Sequence, residues 1–273
     1  MSRVLVVGAT GVIGSRLVPR LVADGHEVHG TTRRDDRLPA IEHAGAGPHL
    51  LDVLDEPAVT ALLAELAPDV VLHVFTDLSG RDFASNSHLR IAGTRILVDA
   101  SLAAGVSTMV AQSVAWASVP GDGEADETTP ADPDAYPAVA ALESDVARMP
   151  QGVILRLGLL YGAGTFYAPT GAAADAARRG DIQPTTVLSD WLHADDAADA
   201  FGTALDWPAG PVFIADDHPS SVQEWAPVFA ERVGGRVERI ADAPPGRTAS
   251  RRTAAARGWR PQHADWHEGL GLA

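Results

Sequence analysis

Three glycines at intervals of three, Gly8, Gly11 and Gly14, stand between an apolar run and an amphipathic helical pattern. Residues 4–7 read as a strand buried on both faces. Ile13, Leu17, Leu21 and Val22 recur at helical spacing, and Gly25 stops them. Few architectures turn a buried strand directly into a helix through such a loop. The first glycine permits a tight turn, and the second lets the backbone approach a bound group. A helix N-terminus presents free N–H groups, so the group that this arrangement suits is a phosphate. The candidate contacts are Gly8, Thr10, Gly11, Val12, Ile13 and Gly14. A plain strand-to-helix turn is the alternative that the loop alone leaves open.

The pattern continues. Further strands are expected over residues 27–31, around 50–51, and over 69–74, 106–112 and 153–157, with helices over 57–66, 89–104 and 138–148. This alternation predicts an α/β fold, a Rossmann-type doubly wound parallel sheet. After residue 160 it becomes irregular, with helices expected over 169–179, 195–205, 222–233 and 251–257 and short strands over 212–214 and 236–240. The expected division is a dinucleotide-binding domain over 1–165 and a smaller C-terminal substrate-binding lobe over 166–273, with 187–207 packing back on the first. Residues 119–137, rich in Pro, Gly and Asp, read as a long loop of the kind that covers active sites.

Composition removes whole chemistries. The 21 basic residues are all arginine, and there is no cysteine. No lysine means no Schiff base and no phosphate-loop lysine. No cysteine means no thiol nucleophile, disulfide or Cys-ligated metal. The ten histidines are scattered without metal-ligand spacing, so no metal is expected. A net charge of −15 argues against nucleic acid and anionic membranes as partners. No uncharged apolar run reaches membrane-spanning length. A cytoplasmic protein with a small-molecule substrate is expected, its oligomeric state left open.

Where the second strand ends, an acid would select NAD by its ribose. Here Thr31 and Thr32 are followed by Arg33 and Arg34, with Arg37 close behind. Guanidinium groups match a 2′-phosphate, so NADP(H) is the expected cofactor, with ordinary loop charge as the alternative. Asp52 and Val53 follow the third strand as candidates for the adenine edge. A helix-capping role for Asp52 or Asp55 is equally open. His73, Val74 and Phe75 end the fourth strand beside the expected groove, where packing is the simplest role for His73.

With GATGVIG at Gly8, PDVVLH at Pro68, AGTRILVDASLAAGV at Ala92, LRLGLLYGAG at Leu155, WLHADDAADA at Trp191, ARGWRP at Ala256 and DWHEGL at Asp265, the chain resembles the NAD-dependent epimerase/dehydratase group, the extended or atypical short-chain dehydrogenase/reductases. The resemblance covers almost the whole length. It implies catalysis by Ser or Thr with Tyr and Lys in a Y-x-x-x-K pattern, and the chain departs from this. Tyr136-Pro137-Ala138-Val139-Ala140 puts alanine at the lysine position, Arg90 replaces a usual Asn, and Gln112-Ser113 replaces a Ser pair. Ser113 is left as the candidate catalytic hydroxyl, and Tyr136 has no cation near it in sequence. Trp116, Tyr161, Phe75 and His193 are candidates to line a substrate pocket, although aromatic residues are core residues by default.

The resemblance therefore implies an NADP-dependent oxidoreductase with an atypical site. The expected activity is reduction of a carbonyl of a secondary metabolite, an aromatic polyketide of the angucyclinone type, in antibiotic biosynthesis. A phenolic substrate brings its own acidic protons, which suits a chain without the Tyr–Lys dyad. A nucleotide-sugar epimerase or dehydratase, which needs a strong base, and a non-catalytic NADP-binding sensor are the alternatives.

Overall fold

The structure is a computed structural model, which describes residues 1–76, 82–182, 188–237 and 247–269. The strands are β1 (Arg3–Val7), β2 (Glu27–Thr32), β3 (Gly47–Leu50), β4 (Val70–His73), β5 (Thr108–Val114), β6 (Glu124–Ala125), β7 (Gln151–Leu157), β8 (Leu159–Tyr161), β9 (Leu188–Ser189), β10 (Trp191–His193), β11 (Gly210–Ile214), β12 (Ser220–Ser221) and β13 (Thr248–Ala249). Seven form one parallel sheet in the order β11-β7-β5-β4-β1-β2-β3, flanked by helices in the Rossmann manner. The expected strand at 212–214 is not an element of a separate lobe. It lengthens to β11 and becomes an edge of this sheet.

The helices that matter for the site are α1 (Gly14–Ala23), α2 (Leu38–His43), α3 (Glu56–Leu66), α4 (Phe83–His88), α5 (Thr94–Ala103) and α6 (Pro137–Val146). Sequence reasoning missed α2 and α4. It also read residues 89–104 as one helix, where the structure has a π-helical turn, Leu89–Gly93, leading into α5. A π turn inserts a residue and swings side chains off the helical register. Arg236 and Val237 are irregular rather than strand, and the rest of that expected strand lies outside the described residues.

Contacts divide the chain into two compact units, and the chain passes between them several times. The first comprises Met1–Ser113, Ala131–Leu155 and Ala198–Val212. Its strands are apolar because both faces are covered: every residue of β4 and β5 is buried. Leu17, Val18 and Leu21 put one face of α1 in the core. A second cluster joins Leu5, Val7, Leu63, Val71, Leu97, Val98, Met109, Leu142 and Ile154 across the sheet, α3, α5 and α6. Val7 lies level with Thr31 and with His73, so β1, β2 and β4 end together. Strand order reverses beside β1, between β4 and β2, which is where such sheets open a crevice.

The second unit, Val114–Pro130, Arg156–Ala197 and Phe213–Ala273, has an aromatic core. Trp191 stacks on Trp266 and meets Trp225, Tyr161 and Tyr167 edge-on. The indoles of Trp191 and Trp225 donate to Ser220 and Ser189 at 3.0 and 3.3 Å, so neither buried N–H is orphaned. Asp190 accepts from Ala249 N and Arg251. Asp216 is fully buried. Its Oδ1 accepts from His218 N, and its Oδ2 has no partner among the described residues. Loss of water pushes its carboxyl up to about 8.

Two predictions follow from this packing. A Cβ on Gly14 would stand 2.3 Å from the Gly8 carbonyl oxygen and 2.7 Å from Ala9 Cα, whereas one on Gly11 would meet only the Gly8 oxygen, at 3.3 Å. Gly14→Ala should therefore cost about 1–3 kcal/mol in urea unfolding, with Gly11→Ala near neutral. Asp216 gives a pH signature. Between its unfolded value near 3.8 and about 8, the folded chain keeps a proton that the unfolded chain releases, so this group makes stability fall as pH rises through that window. Asp216→Asn should flatten the slope in unfolding midpoints taken from pH 5 to 8. An unchanged slope contradicts the assignment.

Candidate active site

The glycine loop follows β1 at the point where strand order reverses. Gly8 takes φ +101°, and a Cβ there would press on the Phe75 backbone at 3.0 Å. Two threonines at the end of β2 hold the loop. Gly8 N donates to Thr31 Oγ1 and Ala9 N to Thr31 O, while the Thr10 and Thr32 hydroxyls meet at 3.1 Å. Sequence reasoning passed over Thr31 and Thr32, although two buried hydroxyls ending a strand were the available signal. No side chain caps the N-terminus of α1, and Gly11 is exposed. These features fit a pyrophosphate, which would accept from backbone N–H groups of Val12 and Ile13, the Gly11 N–H being given to Gly8 O at 3.0 Å. The Ile13 side chain is itself core, so only its backbone is available.

Arg33, Arg34 and Arg37 are exposed just past β2. Arg34 is already forked onto Asp36 at 2.7 and 3.0 Å, so a 2′-phosphate would have to compete with that carboxylate. Asp55 is the cap of α3, accepting from Ala58 N. Asp52 instead closes the turn before it through Leu54 N and remains exposed, beside a buried Val53. Val74 and Phe75 are buried, and Phe75 O accepts from Gln112 Nε2.

His73 takes the packing role that was its simplest reading, not the cofactor contact also offered for it. Its side chain is wholly buried, bonded through Nε2 to the Thr94 hydroxyl at 2.8 Å and stacked on Phe75. Burial pushes the imidazole down to about 3, so it is neutral. It cannot line a groove with its ring. Tyr161 is corrected likewise: it is fully buried in the aromatic core, which raises its hydroxyl well above the ordinary phenol value. His193 accepts from Asp195 N and stacks on His263 at 3.8 Å, a structural arrangement at the start of a helix. Trp116 is 46% exposed.

Ser113 ends up against a partner that sequence reasoning did not weigh. Its hydroxyl donates to Glu143 Oε1 at 2.6 Å, and both residues are buried. Tyr136, Ala140 and Glu143 fall at i, i+4 and i+7 along the start of α6, so they share a helical face. The chain thus has alanine at the lysine position and an acid one turn further. A serine whose proton goes to a carboxyl oxygen keeps only lone pairs to offer, so Ser113 is an acceptor rather than a donor in this arrangement.

Tyr136 is 38% exposed at the head of α6, and no hydrogen bond joins it to Ser113 among the described residues. It is not without a neighbouring cation, contrary to the sequence expectation. Arg90, on the π-helical turn, lines the same cavity of about 180 Å³, together with Ser87, Ile91, Ala135, Pro137, Ala138 and Val139. Among the described residues no group of three His, Asp or Glu side chains is placed to hold a metal ion, and no helix is long and apolar enough to cross a membrane.

Comparison with known proteins agrees with this geometry. Residues 4–213 match the NAD dependent epimerase/dehydratase family. A 3-diazoavenalumate denitrifying reductase from a Streptomyces species is 36% identical over 98% of this chain and 99% of its own length. A UDP-glucose 4-epimerase from Mycolicibacterium smegmatis is 34% identical over 40% of this chain and 37% of its own. Among solved structures, the Thermus thermophilus UDP-glucose 4-epimerase in complex with NAD aligns with a TM-score of 0.76 at 26% identity, covering 99% of this chain and 97% of that one. The chain is a member of the NAD dependent epimerase/dehydratase family, and as such an oxidoreductase built to work with a nicotinamide dinucleotide.

Proposed function

We propose that the protein is an NADPH-dependent reductase that removes nitrogen from a diazo-substituted aromatic carboxylic acid, leaving hydrogen in its place. The observation that carries this reading is the Ser113–Glu143 pair beside an alanine where the family has its lysine. Reduction of a ketone needs donors for the oxygen as it becomes an alkoxide. A buried pair that presents acceptors suits a cationic electrophile instead, and an arenediazonium ion is one. A reduced nicotinamide, when bound, supplies a hydride. An arenediazonium plus that hydride gives the arene and N₂ with no proton consumed, whereas a ketone requires one proton for each alcohol formed. The absence of a Tyr–Lys acid is then no defect. The name of the Streptomyces relative, with its diazo substrate and denitrifying reduction, supports the same chemistry.

In this reading Ser113 and Glu143 hold the electrophile by its positive end. The glycine loop holds the cofactor pyrophosphate. Arg33 and Arg34 take the 2′-phosphate, with Arg34 exchanging Asp36 for it. The ketone of an aromatic polyketide is the second reading. The missing dyad supports it only if the substrate carries its own proton, and nothing in the Ser113–Glu143 pair favours it.

Two experiments test the reading. Headspace mass spectrometry with 4-carboxybenzenediazonium and NADPH should find one N₂ per NADPH oxidised in an enzyme-dependent reaction. Glu143→Gln should lower kcat/KM by about 10²-fold, in the range for loss of one preorganised electrostatic contact, without changing NADPH affinity. Activity of that variant within twofold of the unmodified protein removes Glu143 from the site. For the cofactor, the double variant Arg33→Ala, Arg34→Ala should weaken NADPH about ten- to a hundredfold and leave NADH nearly unchanged, as expected for lost charge-assisted hydrogen bonds. Equal dissociation constants for the two cofactors in the unmodified protein contradict the NADP assignment.

A further inference from the structure

We infer that the cavity between the π-helical turn and the head of α6 is a carboxylate-recognition site in which Arg90 takes the acid group of an aromatic ligand and Tyr136 takes its ring. The inference rests on the reading above and adds the part of the substrate that the hydride does not touch.

Arg90 is half-buried, and among the described residues it has no hydrogen-bond or ion-pair partner. Desolvation already depresses its guanidinium below the ordinary arginine value. Charges withdrawn from water are normally paired. The chain carries 36 acids, yet none among the described residues pairs with it. The cavity lining explains why: Ser87, Ile91, Ala135, Tyr136, Pro137, Ala138 and Val139 include no acidic side chain. An anionic ligand would supply the counter-charge that the described lining lacks. A guanidinium fork fits a carboxylate with two parallel hydrogen bonds.

Size selects the class of ligand. The cavity measures about 180 Å³. A cavity of about 150 Å³ in another protein holds one benzene. There is room for one ring with its acid group. Ile91, Pro137 and Val139 give the ring apolar walls, and the Tyr136 phenol offers a face for it. The π turn at Leu89–Gly93 is the device that presents Arg90, since α6 packs against that turn. Such turns recur at functional sites.

The test uses the full chain with saturating NADP⁺ and isothermal titration with 4-hydroxybenzoate, its methyl ester and 4-hydroxybenzamide. The unmodified protein should bind the acid at least tenfold more tightly than the ester or the amide. Arg90→Gln should lose about ten- to a hundredfold for the acid and nothing for the ester, and Arg90→Lys should recover part of the loss. Tyr136→Ala should weaken acid and ester alike. Unchanged NADP⁺ affinity and circular dichroism show that each variant is folded. Equal affinity of the unmodified protein for acid and ester, no acid binding up to millimolar concentration, or an Arg90→Gln variant that keeps acid affinity overturns the site. Nitrogen release from the diazonium without acid selectivity would sink this site and leave the reduction standing. Acid selectivity without nitrogen release would do the reverse.

Discussion

The approach of helix α1 to the end of β1 is the constraint on which the rest of the first unit depends. Gly14 sits so close to the Gly8 carbonyl that no Cβ fits between them. That contact sets the angle at which α1 leaves the sheet. It therefore sets where the uncapped helix N-terminus points, and it leaves Gly11 open above the loop. The Thr31 and Thr32 hydroxyls hold the loop from the neighbouring strand. The packing that three glycines and two threonines achieve here is also the arrangement that would receive a phosphate.

Beyond that platform, the proposed reading takes the site residues away from ketone chemistry. A family member built to protonate an alkoxide presents hydroxyl donors backed by an ammonium. This chain has no ammonium side chain, and it ties its remaining serine proton to Glu143. It also places an arginine on the π-helical turn, where its charge meets no acid among the described residues. Two changes of opposite sign, an acid on α6 and a cation beside its head, suit a substrate that is positive at its reacting group and negative at its far end.

The fold was legible in the sequence because its signals are local. The apolar runs of β1, β4, β5 and β7 and the periodicity of α1 and α3 carry the alternation by themselves. What was not legible depends on partners far along the chain. Packing was the simplest role for His73, but its partner Thr94, 21 positions away, carried no signal in the sequence. Tyr161 looked exposed to substrate until the tryptophan cluster closed over it. Glu143 carried no motif, and its role comes from Ser113, 30 positions earlier on an adjacent strand. Arg90 was noticed only as a missing asparagine. It lies on a π turn, which no periodicity announces, and lines a cavity there.

The central claim is that this site carries out reduction without giving up a proton. The most direct measurement is proton stoichiometry in weakly buffered solution with a pH indicator, following NADPH oxidation and nitrogen release together with 4-carboxybenzenediazonium as substrate. One N₂ released and no proton taken up per NADPH oxidised is the predicted result. Uptake of one proton per NADPH without nitrogen release would contradict the account.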